Sequence, residues 1–376
     1  MAKLSLPELK VLVASVVTTS LISSPSFTEA RNNVVGLLDK IGKIYTLDTD
    51  YQIDKLNMFD GEYLSFGKTI EEWQEDLILP QDYDGTGANA LSPDDPTYRP
   101  VDYSYSIGKK VIKTTIRNNN IERAVHNEGQ LAEIVAIQFK RIEDSMAQYR
   151  YQVKREMIAK LIELAKAAQG DSTSTFAVST AYDVGDYVRQ ASTGDGAKVF
   201  AVVVKPIAAT NSHNWAAAVA AGELIVFDLF TKLDLPVDTT KGEAFIKAVK
   251  KDLEIASDIS EGHSLNGNTL GATSNLVLIV KQGVIPELEV DTYAGAFHRE
   301  DLAFPADIVV VKDFGGADSK YYAVLMDARG MRLHPTYNAT RENMNGSGDF
   351  LNIFRHTEDT AHVSRNTFLR VYKSAD

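Results

Sequence analysis

The longest run of regular apolar spacing lies between Asn127 and Gln169. Val135, Phe139, Ile142, Met146, Tyr149, Val153, Met157, Leu161 and Leu164 recur at three- and four-residue intervals, the period of a helix with one apolar stripe. Asn127 can cap its start, no proline interrupts it, and Gly170 stops it. About 40 residues at 1.5 Å each make a rod of roughly 60 Å, either a strut or one strand of a coiled coil. Before it the period shortens. YLSFGKTIEEWQEDLIL (Tyr63 to Leu79) and YSYSIGKKVIKTTI (Tyr103 to Ile116) read as extended limbs flanking a Pro- and Gly-rich stretch, which predicts a protruding hairpin over 56–120. Residues 1–55 read as an arm whose clearest helix is Phe27 to Tyr45, with Val34, Leu37, Leu38 and Ile41 on one side.

After the long helix, which with its surroundings spans 121–180, comes a β-rich insertion at 181–230. VGDYVRQ and KVFAVVVKP are its strands, STGDG separates them, and Trp215 opens the helix WAAAVAAG. The section 231–335 begins with a helix from Thr240 to Ile259. Buried strands follow at NLVLIVKQ, ADIVVVKD and KYYAVLMDARG, with a short helix at PELEVDTYAGAF. In 336–376, FLNIFRHTEDTAHVSRNTFLRVYK supplies two more extended segments. The class is α+β, with no internal repeat.

Composition excludes several chemistries. A formal charge of -12 makes free nucleic acid a poor direct partner, since phosphate affinity comes from clustered Lys and Arg. Without cysteine there is no disulfide, thiolate metal site or thiol nucleophile. The apolar run Leu9 to Ser24 carries Lys10 and many Ser and Thr, too polar to span a bilayer, so no membrane partner is expected. Paired-histidine metalloprotease, phosphate-loop and Gly-Xaa-Ser-Xaa-Gly signatures are missing. DTDYQID (Asp48 to Asp54) lacks the turn glycine of a calcium loop, and the seven histidines are scattered apart from His356 and His362. No catalytic, cofactor-binding or metal-binding residue is expected, and no enzyme.

Charge placement says more. Glu71, Glu72, Glu75, Asp76, Asp82, Asp84, Asp94, Asp95 and Asp102 stand against Arg99 alone, and then Lys109, Lys110, Lys113, Arg117 and Arg123 stand against Glu122 alone. Two readings follow. The limbs pair with each other across the hairpin, or the acidic projection of one copy meets a basic surface of another. The second makes Glu71, Glu72, Trp73, Glu75, Asp76, Lys109, Lys110, Lys113 and Arg117 interface residues, with Trp73, Leu77, Ile78 and Leu79 as apolar anchors.

Four short stretches carry a resemblance. GKTIEE (Gly67 to Glu72) resembles the entry to an extended loop, PELEVDTYAGAFH (Pro286 to His298) a Glu-Leu-Xaa-Val-Asp helix, IVVVKDF (Ile308 to Phe314) the strand after it, and VSRNTF (Val363 to Phe368) a closing strand. Their order resembles the major capsid protein of tailed bacteriophages, the Hong Kong 97-type fold, in the branch of small short-tailed phages related to phi 29. The resemblance implies an N-terminal arm, an extended β-hairpin loop, a long spine helix, and peripheral and axial mixed α/β domains. It implies hexamers and pentamers of the chain itself, with a scaffolding protein and a portal as partners. The shell would enclose DNA without binding it specifically, and would be assembled in the host cytoplasm to become part of the virion. The resemblance offers no counterpart for 182–229, and decoration by the additional immunoglobulin-like domain that some relatives carry is not expected. A nanocompartment shell of the same fold, or a tail or connector protein, remain the alternatives.

Overall fold

The apolar stripe becomes one uninterrupted helix, α1 (Glu128–Ala168), in a computed structural model that describes residues 54–75, 85, 98–117, 128–170, 172–191, 198–236, 239–257, 262–267, 275–284, 306–317 and 319–374. Its end is built from two local features. A Cβ at Gly170 would sit 2.4 Å from the Lys166 carbonyl oxygen, and Thr173 Oγ1 donates to the carbonyls of Ala167 and Ala168, groups with no partner within the helix. The expected arm at 1–55 lies outside the described residues up to position 53, as does the short helix at 286–297.

Before α1 come β1 (Glu71–Glu75), β2 (Tyr98–Asp102) and β3 (Ser104–Arg117). After it follow β4 (Ser174–Thr175), β5 (Tyr187–Arg189), β6 (Phe200–Val203), α2 (Trp215–Ala220), β7 (Leu224–Phe227), β8 (Phe230–Lys232) and α3 (Thr239–Ser257). The remainder is β9 (Leu276–Lys281), β10 (Asp307–Val311), β11 (Tyr321–Asp327), β12 (Met331–Asn345), β13 (Phe350–Val363) and β14 (Leu369–Lys373).

Two sheets share α1. The larger has the order β10-β9-β11-β14-β8 and is covered on both faces, which is why β9 reads as a continuous apolar run. Val277, Ile279, Val324, Met326 and Val371 pack with Val153, Met157, Ile158, Leu161 and Ile162 of α1. Leu278, Val280, Leu325 and Tyr372 pack on the other side with Phe245, Val249 and Leu253 of α3. The smaller sheet, β12-β13-β3, lies along the first half of the helix and is tied to it by polar contacts. Thr114 Oγ1 donates to Gln138 Oε1 at 3.0 Å, Arg355 lies 3.5 Å from Glu143, and Arg150 Nη2 donates to Asp359 Oδ1 at 3.1 Å. Among the described residues the helix is covered by the chain's own sheets, one along each half, as a strut is and a coiled-coil strand is not.

The expected β-rich block is a separate four-stranded sheet, β4-β5-β6-β7, and it begins earlier than position 181. Phe176, Val188, Ala201, Val203, Ala218 and Leu224 form its own small core, with Phe176 stacked on Tyr182 at 5.2 Å. Strand β12 was not expected. MRLHPTYNATRENMN has a proline and little apolar alternation, and its strand character comes from continuous pairing with β13, from Met331↔Val363 to Asn345↔Phe350.

Residues 54–64 wedge between α1 and β12. Leu56 and Phe59 are fully buried, and Gly61 N donates to Leu333 O at 2.9 Å. Lys154 has no exposed surface and bridges Asp54 at 2.6 Å and Asp60 at 2.5 Å. Removing one partner of a buried ion pair strands the other, so Lys154→Met is expected to lower unfolding free energy by about 3 kcal/mol in urea titrations. Asp359 carries a pH signature. Burial raises its carboxyl above the ordinary value of 3.8, against the opposing pull of Arg150. The folded chain then holds that proton at a pH where the unfolded chain has lost it, so this group adds stability as pH falls from the raised value toward 3.8. Asp359→Asn is expected to flatten that part of the stability curve, read as denaturant midpoints at successive pH values.

Candidate subunit interface

The acidic limb does not pair with the basic limb. β1 pairs antiparallel with β2, from Glu71↔Asp102 to Glu75↔Tyr98, while β3 pairs along its length with β13. The reason lies in β3 itself: Ile112, Thr114 and Ile116 alternate toward α1, and Ile116 is buried, a face that β1 could not cover. Across-hairpin neutralisation of the two charge runs is thereby replaced by a short β1-β2 ladder and a separate three-stranded sheet.

Alternation along β1 separates its acids. Glu71 and Trp73 are exposed, Trp73 at 63%, whereas Glu72 turns inward. Ser364 Oγ and Asn366 Nδ2 donate to Glu72 Oε2 at 3.0 and 2.9 Å, and His362 Nε2 lies 3.1 Å from Oε1. Glu75 ends β1, and Asp76 lies outside the described residues. At the end of β2, the Ser104 hydroxyl and backbone N–H donate to Asp102 at 2.5 and 2.8 Å and hold its carboxyl below the ordinary value.

The outer face of the three-stranded sheet gathers the cations. Register places Lys113 beside Phe354, Arg341 on the other side of Phe354, and Arg117 beside Phe350. Lys113 Nζ lies 5.4 Å from the Phe354 ring centroid, and Lys109 Nζ reaches across β13 to 4.5 Å from that of Tyr337. His356 stacks on Phe354 at 6.4 Å. Among the described residues of this face Glu358 is the one acid, and it is paired with Lys68. The result is a face of cations interleaved with aromatic rings, each such contact worth about 0.5–1 kcal/mol when exposed. It suits carboxylates with apolar neighbours.

Lys110 stands apart. Ile107 pairs with Asp359 and Lys110 with Thr357, so Gly108 and Lys109 form a bulge opposite Glu358. Ordinary alternation with Ile112, Thr114 and Ile116 puts Lys110 on the helix side of the sheet, and the extra residue lets Ile107 face the same side. Of the expected basic residues, Lys109, Lys113 and Arg117 come together on one face. Arg341, Tyr337, Phe354 and His356 join them and were missed, since two of the four, Arg341 and Tyr337, take their place on the face only once β12 is paired. Alternation in FLNIFRH was the available signal for Phe354 and His356.

No group of three or more His, Asp or Glu able to hold a metal occurs among the described residues, and no helix there is long and apolar enough to cross a membrane. Asp54, the described end of the calcium-loop fragment, is the partner of Lys154.

A family model described as Phi29-like phage major capsid protein matches residues 8–217 and 226–368. The match runs through most of 181–230, so that block has a counterpart there over most of its length. No curated protein matches the sequence. Among solved structures, a chain from the capsid structure of Staphylococcus phage Andhra is similar at TM-score 0.56 and 12% identity, covering 90% of this chain and 88% of that one. A chain from the capsid structure of the Cyanophage P-SCSP1u is similar at TM-score 0.51 and 12% identity, covering 90% and 94%. At such identity the likeness speaks for a mixed α/β fold of the phage capsid kind.

Proposed function

The chain belongs to the Phi29-like phage major capsid protein family, structural subunits of the phage head shell, and we propose that its copies join by seating the acidic loop of one on the basic sheet of the next. In this reading 56–120 is the extended loop of a Hong Kong 97-type subunit and α1 its spine helix. With the three-stranded sheet, α1 forms the peripheral domain at 121–180, joined by the returning strands of 336–376. The five-stranded sheet with α3 is the core of the axial domain at 231–335, and residues 1–55 are the arm. The role is structural rather than catalytic.

Charge complementarity carries the reading. Residues 76–97 hold Asp76, Asp82, Asp84, Asp94 and Asp95 with no Lys or Arg, and Leu77, Ile78 and Leu79 stand among them. The open sheet face presents Lys109, Lys113, Arg117 and Arg341 beside aromatic rings. Direction favours a second copy. One residue separates β2 from β3, so the loop joins at the Ser104 end of β3. From Lys109 to Arg117 the cations run away from that end over roughly 27 Å, at about 3.4 Å per residue. Many weak contacts of this kind, summed around hexamers and pentamers, set register without any single strong bond. A scaffolding protein, a portal, enclosure of DNA without specific binding, and assembly in the host cytoplasm complete the proposal. The net charge of -12 fits a wall that confines DNA without gripping it.

Charge swapping tests it. Glu71→Lys, Glu75→Lys and Asp76→Lys together are expected to leave a folded subunit that yields no regular shells by electron microscopy. Lys109→Glu, Lys113→Glu and Arg117→Glu together should fail in the same way, and a chain carrying both sets should assemble again. Normal shells from either set alone would contradict the proposal.

A further inference from the structure

We infer that Glu72 is a positioning residue, the pivot that fixes the direction in which the extended loop leaves its own subunit. The inference rests on the reading of 56–120 as a projecting loop, and it takes Glu72 out of the intersubunit contact. Its carboxylate is held at the root of the β1-β2 ladder by His362 at the end of β13 and by Ser364 and Asn366 of the segment that links β13 to β14. Ser364 and Asn366 donate to Oε2, and His362 faces Oε1. All three are buried, with relative exposures of 2%, 3% and 6%. Ser364 and Asn366 are therefore fixed donors, and none of the three is a surface group that happens to lie near. His362 Nε2 is buried and lies 3.1 Å from Oε1 without a well-aligned hydrogen bond.

A second clasp lies one residue beyond β2. Buried Tyr103 receives a hydrogen bond from Asn266 Nδ2 at 2.8 Å, and the same amide donates to Asn366 Oδ1 at 2.5 Å. Asn366 thereby links the two strands that carry the loop, β1 through Glu72 and β2 through Tyr103 by way of Asn266. Backbone pairing alone would leave a five-residue ladder free to swing, because two-stranded ribbons of this size are marginal in water. Charge-assisted hydrogen bonds at one strand fix its angle.

Hydrogen exchange on the unassembled subunit tests this directly, and its result does not depend on whether loop and sheet meet in the shell. With Glu72→Gln, amides of β1 and β2 are expected to exchange about tenfold faster while those of β11 keep the wild-type rate. Asn366→Asp, which sets a carboxylate against Glu72, should loosen the same strands. Joined with Glu72→Gln it should restore their protection, since the new amide can donate to the new acid. Glu72→Gln subunits should assemble into irregular particles. Unchanged exchange in β1 and β2, equal loosening of β11, no rescue by the double variant, or regular shells from Glu72→Gln would each overturn the inference.

Discussion

A helix of 41 residues is some 60 Å long and cannot hold itself straight in water by propensity, so a fold built on one must supply a covering surface of that length. This chain supplies it in two parts. The second half of α1 is covered by apolar contact with the five-stranded sheet, where Ile158, Leu161, Ile162, Ala165 and Ala168 are all buried. The first half is held by polar ties to the three-stranded sheet, from Gln138, Glu143 and Arg150. One bar thus carries two sheets, and neither can shift without breaking contacts along it.

The functional surfaces inherit that rigidity. β3 continues from the loop root into the three-stranded sheet, and β13 continues from the basic face to the segment that grips Glu72. The root of the acidic stretch, at Glu72 and Ser104, and the basic face are therefore set at opposite ends of the same strands. Under the proposed contact, a loop rooted at one end of these strands and a basic face at the other suit head-to-tail contacts, which close into rings when the rotation allows. The aromatic rings beneath Lys109 and Lys113 limit how far those flexible cations can wander before a partner arrives.

Much of this was legible in the sequence where one physical signal dominated. The stripe and Gly170 placed α1 within a residue of its observed ends, and the doubly covered strands β9 and β11 stood out as apolar runs, as did β10, an edge strand where Ile308 is exposed rather than buried as expected. What stayed hidden depends on pairing. β12 is an edge strand whose polar residues need no burial beyond Leu333, so nothing in its own pattern calls for a strand. Which of the adjacent acids Glu71 and Glu72 turns inward, and that a bulge at Gly108 and Lys109 leaves both Ile107 and Lys110 on the helix side, are facts of register that composition does not contain. The run of charges was visible, but its division into a face, an edge and a clasp was not.

The account stands on acidic loops meeting basic sheets between copies, and zero-length carbodiimide coupling reads that contact most directly. Shells assembled from equal amounts of ordinary and heavy-nitrogen subunits would be coupled, digested and analysed by mass spectrometry. The account predicts links from carboxylates of 71–95 to Lys109 or Lys113 in which light and heavy peptides are mixed. Links confined to unmixed pairs, or none between those segments, would contradict it.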